Sequence, residues 1–210
     1  MPQWTWYGDP IYAYRNNRGQ FASQREIWSW ADASIASTAD TTSFMTVGLA
    51  DHSIPVNLWQ ATMRTQIKNE TFRQYMAGLG GRSALTQQDY GSIGGMLSEQ
   101  YRHLDAFAAK IAAGEYSDKQ ITAISRMYIR SAREAFERAA GRSRGIPQMP
   151  AYPGDGSTIC KTNCGCHWRY TRRGDEWHAF WTLGVVEHCV GCLEHADEWF
   201  PYIVPVEETQ

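Results

Sequence analysis

A chain of 210 residues, 43% hydrophobic and 20% charged, is long and apolar enough to bury one core, or one core with a small appendage. This composition excludes an intrinsically disordered chain. A net charge of −2 and a pI near 6.3 exclude a surface built throughout to neutralise phosphates, so any nucleic-acid contact must be local. No run of about 18 apolar residues exists, and the opening MPQWTWYGDP has neither a basic nor an apolar signal region, so neither a membrane partner nor secretion is expected.

Residues 1–22 place Trp4, Trp6, Tyr7, Tyr12 and Tyr14 among Gly and Pro without helical period and read as an extended, aromatic-rich arm. From Ser23 the spacing turns helical through Ile27, Trp30, Ala31, Ser34 and Ile35, weakens in the Ser/Thr stretch around residues 36–43, and breaks near His52–Pro55. Asn57 is placed to cap a second helix carrying Leu58, Trp59, Met63, Ile67, Phe72, Tyr75 and Met76, ended by Gly78, Gly80 and Gly81. Thr86 with Asp89 caps a third, running to a stop at Gly114. Gly91, Gly94 and Gly95 fall inside that third helix, where each costs about 1 kcal/mol against Ala, so a tight crossing with another element is expected there. Ser117 caps a fourth through Ile121, Ile124, Met127, Tyr128, Ala132 and Phe136, fading at Gly141.

The fold class expected is therefore mainly α: a helical body of about four helices over 23–144, then a Gly/Pro linker at 145–156, then a small Cys-rich module over 157–210. In that module the bulky residues flanking RRGDE predict a β-hairpin, and EHCVGCLEHADEW resumes a helical pattern. Trp168, Trp177, Trp181 and Trp199 supply a miniature core. Charge divides along the same line. Residues 56–144 hold thirteen Arg/Lys against eight Asp/Glu, a balance of +5, whereas 145–210 hold four against nine, or −5.

All five cysteines fall in the module, as Cys160-x3-Cys164-x-Cys166 and, beyond the hairpin, Cys189-x2-Cys192. Two close thiol pairs separated by a hairpin suit a tetrahedral structural Zn2+ site, because each pair presents two sulfurs from one turn. The set expected is Cys164, Cys166, Cys189 and Cys192, with Cys160 the alternate. A module of about fifty residues has little core of its own, so metal-derived folding free energy matters there. Disulfides compete, but an odd cysteine count without a signal peptide fits a reducing compartment better. Of the four module histidines, His188 is kept as a ligand or a group supporting one, while His167, His178 and His195 read as packing. Neither a Walker loop, GxSxG, HExxH nor a Rossmann fingerprint is present, and a zinc hydrolase built on His178 or His188 with Glu187 lacks any mark of an open coordination position, so no enzyme is expected.

The stretch DYGSIGGMLSEQYRHLDAFAAKIAAGEYSDKQITAISRMYIRSAREAFERA, with YPGDGSTICKTNCGCHW and EHCVGCLEHADEW, resembles tailed-bacteriophage head-morphogenesis proteins, the minor head proteins similar to the F protein of phage Mu. The opening YRNNRGQFAS is similar to the start of short phage structural proteins. The resemblance runs from about Tyr14 to Trp199, and its most specific pieces are Thr162–Trp168 (TNCxCxW) and His188–Cys192 (HCxxC). It departs from the Mu-like pattern in placing Cys-x-Cys first and lacking a His-Pro pair. The resemblance implies a virion component assembled in the host cytoplasm. Its implied partners are portal, capsid or connector proteins and further copies of itself, and it is implied to act in head assembly or in DNA packaging and ejection without enzymatic activity. Related readings are a capsid decoration (cement) protein or a head-tail connector. From another class comes a nucleic-acid-binding zinc module, with Arg169, Arg172 and Arg173 on phosphates.

Overall fold

The computed structural model describes residues 4–5, 13–14, 22–51, 53–146, 148–185 and 187–205. The arm expected over 1–22 lies outside them, apart from Ala22 and a short ladder of β1 (Trp4–Thr5) with β2 (Ala13–Tyr14). The body comprises α1 (Gln24–Ala50), α2 (Val56–Leu79), α3 (Gln87–Ala112), α4 (Asp118–Arg130) and α5 (Ala132–Arg142). After it come β3 (His167–Arg173), β4 (Glu176–Thr182), α6 (Val190–Glu198) and β5 (Tyr202–Pro205), whose strands form one antiparallel sheet in the order β3-β4-β5. The chain is mainly helical with a small C-terminal sheet beside a cysteine cluster, as expected. The fourth expected helix is two, divided at Ser131, and β5 is an addition.

Local chemistry sets most of the boundaries. Glu26 accepts the Ser23 backbone N–H at 2.7 Å, Asp89 that of Thr86 at 2.7 Å, and Gln120 that of Ser117 at 2.9 Å, closing three reciprocal caps. Gly80 ends α2 at φ 94, a conformation open to glycine at no steric cost. The α2 N-cap is Pro55 instead of Asn57, which lies within the first turn; proline loses nothing there because the first N–H groups of a helix have no partner inside it.

Helix α1 continues through the Ser/Thr stretch because the hydroxyls of Thr41, Thr42 and Ser43 bond back to carbonyls of their own helix and that of Thr38 meets α2. Ser34 and Thr38 donate to the fully buried Glu70 of α2 at 2.9 and 2.8 Å, and Glu70 also accepts from Arg73 and Gln74. A helix that binds its neighbour through a satisfied polar network needs no continuous apolar stripe.

The tight crossing is not at Gly91, Gly94 and Gly95, which are exposed and have nothing within 4 Å of where a Cβ would stand. It is at Gly78, where a Cβ would come within 2.2 Å of the Phe136 carbonyl oxygen, so α2 and α5 touch backbone to backbone. Trp59, Met63, Ile67, Tyr75 and Leu79 of α2 then bury against Ile93, Leu97, Leu104 and Phe107 of α3 and Ile121 and Ile129 of α4.

The segment 145–156 is no free linker. Ile146, Met149, Ala151 and Tyr152 are buried in a second core with Phe136 and Ala140 of α5 and with Trp168, Tyr170, Ala179, Trp181 and Trp199. Trp168 stacks on Trp199 at 5.4 Å and meets Trp181 edge-on at 5.3 Å, the aromatic core anticipated for the module. The hairpin turns at Gly174, φ 60, with Arg173 opposite Glu176. Among the described residues no helix is long and apolar enough to cross a membrane.

Candidate metal centre

Two short turns build the thiol cluster. Cys160 and Cys164 flank the single 3-10 turn Lys161–Asn163, closed by Asn163 N–H to the Cys160 carbonyl at 2.9 Å. Cys189 is the N-cap of α6 and Cys192 lies one turn in, donating its N–H to the Cys189 carbonyl at 3.0 Å. The turns are brought together at the far end of the hairpin, where a Cβ on Gly184 would lie 2.2 Å from the Gly165 carbonyl oxygen. Only a glycine at that point lets the end of β4 close against the Cys164–Cys166 loop.

Cys160, Cys164 and Cys192 put their sulfurs within 4.8 Å of one another, with Cys192 Sγ 3.6 Å from both Cys160 and Cys164. Four thiolates at about 2.3 Å from a tetrahedral Zn2+ stand about 3.8 Å apart, whereas a disulfide closes to about 2.05 Å. All five cysteines are free thiols at these distances. The donor set therefore fits a thiophilic cation.

The Cys189 thiol lies near those of Cys160 and Cys192 but outside their group, and Cys166, fully buried, lies near Cys164. The three-thiol group thus contains Cys160, the expected alternate, with Cys164 and Cys192, and contains neither Cys166 nor Cys189 of the expected set. Nor does His188 join it. His178 sits on the sheet with its Nε2 3.5 Å from Glu176. The 3-10 turn explains Cys160: it folds that residue back beside Cys164, which sequence spacing alone does not show.

The thiols differ in acidity. The hydrogen bond to Cys166, then burial, hold Cys164 far above the ordinary thiol range, and burial with the neighbouring Cys164 does the same to Cys192. Burial also raises Cys160. At Cys189 burial acts in the same direction, but the backbone N–H groups of Cys192 and Cys160 and their thiols outweigh it, bringing the thiol down to about 7. A group of thiols in which burial and neighbouring sulfur disfavour negative charge at Cys160, Cys164 and Cys192 is an arrangement that a divalent cation relieves.

Beside this cluster lies a buried ionic clamp with no counterpart in the sequence expectations. His167 Nδ1 is 2.6 Å from the fully buried Glu137, whose other oxygen accepts the Trp168 N–H at 3.1 Å. His167 Nε2 stands 3.0 Å from Arg133 and 3.5 Å from Asp32, and Arg133 pairs with Asp32 at 2.5 Å. Trp28 stacks on the imidazole at 4.5 Å and 6°. Thus α1 and α5 grip the first strand residue after the Cys164–Cys166 loop. Arg133 and Glu137 stand at i and i+4 on the stripe that also carries Phe136 and Ala140, and charges placed on an apolar face were the legible signal.

No protein-family model matches the chain, and no curated protein or solved structure matches it.

Proposed function

We propose that the chain is a structural protein of a bacteriophage virion, of the minor-head or head-morphogenesis type. In this reading Cys160, Cys164, Cys189 and Cys192 hold a structural Zn2+ that fixes a docking module to a helical body. The observation that carries the metal reading is the meeting of three thiols from two separate turns, all within 4.8 Å of one another and with Cys192 3.6 Å from each of the other two, and with Cys189 nearby as the fourth donor. Cys166 is the spare thiol. The metal supplies cross-linking and charge neutralisation, and the residues supply the rest. The turns set the sulfur positions, the Gly165–Gly184 contact closes the loop, and the clamp of Glu137 and His167 holds it on the body.

The virion role is supported by the resemblance carried by Thr162–Trp168 and His188–Cys192, and by a surface that leaves the apolar side chains of Phe44, Ile159 and Val185 largely exposed for a partner to bury. The protein acts by docking on portal, capsid or sister subunits, without chemistry of its own.

Elemental mass spectrometry of the purified chain, paired with a thiol count in denaturant, tests the metal: a single equivalent of zinc with all five thiols reduced is expected. No metal with fewer free thiols overturns it. Cryo-EM of particles carrying the chain tests the role. Density at the portal or capsid is expected, and absence from the particle overturns it.

A further inference from the structure

From the outer face of the sheet we infer a second, separate binding surface, for single-stranded nucleic acid. The face is defined by register. Trp168, Tyr170, Ala179 and Trp181 point into the core, so their neighbours Arg169, His178 and Phe180 point away from it, and Ile203 pairs with His178 from β5. Phe200, 71% exposed, meets Phe180 edge-on at 5.3 Å, and the Arg169 guanidinium lies 4.1 Å over the other ring. An exposed phenyl ring buried by nothing among the described residues, beside a guanidinium already seated on its aromatic neighbour, offers a stacking surface next to a phosphate-binding fork.

Charge selects the occupant. Arg169, Arg172 and Arg173 have no carboxylate partner among the described residues; besides the Phe180 ring, Arg169 reaches the Thr171 hydroxyl, and Arg172 donates to the Gly174 carbonyl. They stand in a segment whose overall balance over residues 145–210 is −5. A three-stranded sheet is about 10 Å across. A single strand fits along that width, whereas a duplex would set its second backbone beyond Arg169 and Arg173, with the net charge of −5 over residues 145–210 against it. Base stacking on Phe200, with phosphates on Arg169 and Arg173, gives binding that tolerates any sequence. Asp175 and Glu176 close the turn end, so the strand tracks from Arg173 toward Phe200. This surface is independent of the metal centre and of the virion role.

The test is fluorescence anisotropy of the metal-loaded full chain with a labelled oligothymidine of about 20 nucleotides, from about 50 to about 200 mM salt. Binding that weakens with salt is expected. Phe200→Ala should weaken it about tenfold, and Arg173→Ala should reduce the salt slope by about 0.7. Lys119→Ala, at an exposed position of α4, should leave it unchanged. Because Phe200 is so exposed, metal content and circular dichroism of Phe200→Ala should match the parent. Three results overturn the inference: no binding at the lowest salt, binding indifferent to Phe200→Ala, or a Phe200-dependent self-association by light scattering without nucleic-acid binding. The last would make this face a protein interface.

Discussion

The helical body and the cysteine module bury their interiors by different means. In the body, long helices with reciprocal caps lay Trp59, Met63, Ile67, Leu104 and Ile129 into one aliphatic-rich core, and the buried carboxylates of Glu70 and Asp89 inside it accept from side chains of neighbouring helices. In the module, short strands and a nine-residue helix surround a few tryptophans, and five thiols share the same interior. A core that small draws its remaining order from cross-links and from its seat on α5. The difference teaches where each region is vulnerable: the body through backbone contact between helices, the module through its thiols and its clamp.

The largest expected effect separates the two regions outright. Cys192→Ser removes the sulfur that stands 3.6 Å from two others, and it should release the metal and abolish the near-ultraviolet signal of Trp168, Trp181 and Trp199 while most of the far-ultraviolet helix signal survives. Cys166→Ser should retain the metal. Equal metal loss in both variants would put Cys166 back among the ligands and undo the assignment of Cys160.

Next comes the clamp. Glu137→Gln leaves His167 buried against a neutral amide, and denaturant titration should show a loss of about 3 kcal/mol. The clamp also gives the comparison a pH dependence. At His167 burial opposes the charged form, but the Asp32 and Glu137 carboxylates outweigh it and raise the pKa. Its contribution is therefore complete below the unfolded value of about 6.5 and fades as pH rises through the folded value. At Asp32 burial acts upward, but bonds to His167 and the Arg133 charge lower the pKa, so that contribution fades as pH falls below about 3.9. The stability gap between the parent and His167→Gln should be widest between these limits and shrink toward alkaline pH in thermal melts.

Gly78→Ala strikes the body. Its Cβ would meet the Phe136 carbonyl at 2.2 Å, so α2 and α5 must separate, and a loss of about 2 kcal/mol is expected in denaturant titration. The smallest effect has the opposite sign. Gly94→Ala, on an exposed helical position with nothing near the new methyl, should stabilise by up to about 1 kcal/mol. If Gly94→Ala were the destabilising member of this pair, the crossing would lie on α3 after all.

Much of the fold was legible because it is written in short-range chemistry. Ser23 with Glu26, Thr86 with Asp89 and Ser117 with Gln120 are pairs three residues apart, and their reciprocal hydrogen bonds form whatever the rest of the chain does. The hairpin at Gly174 and the paired cysteines obey the same local logic. The contact of Thr38 with Glu70 was not legible, because a hydroxyl within a Ser/Thr stretch reads as a pattern breaker until its partner 32 residues away is known.

By itself, then, the amino-acid sequence determined that a mainly helical body precedes a cysteine-bearing hairpin module, since periodicity, caps and turn residues act within a few positions. Only the tertiary structure decided that Cys160 stands in the three-thiol group without Cys166, that Gly78 and not Gly94 marks the tight crossing, and that Glu137 and His167 join body to module. Each of these rests on which face of one element meets another, and that is fixed by packing and backbone approach between residues 30 or more positions apart.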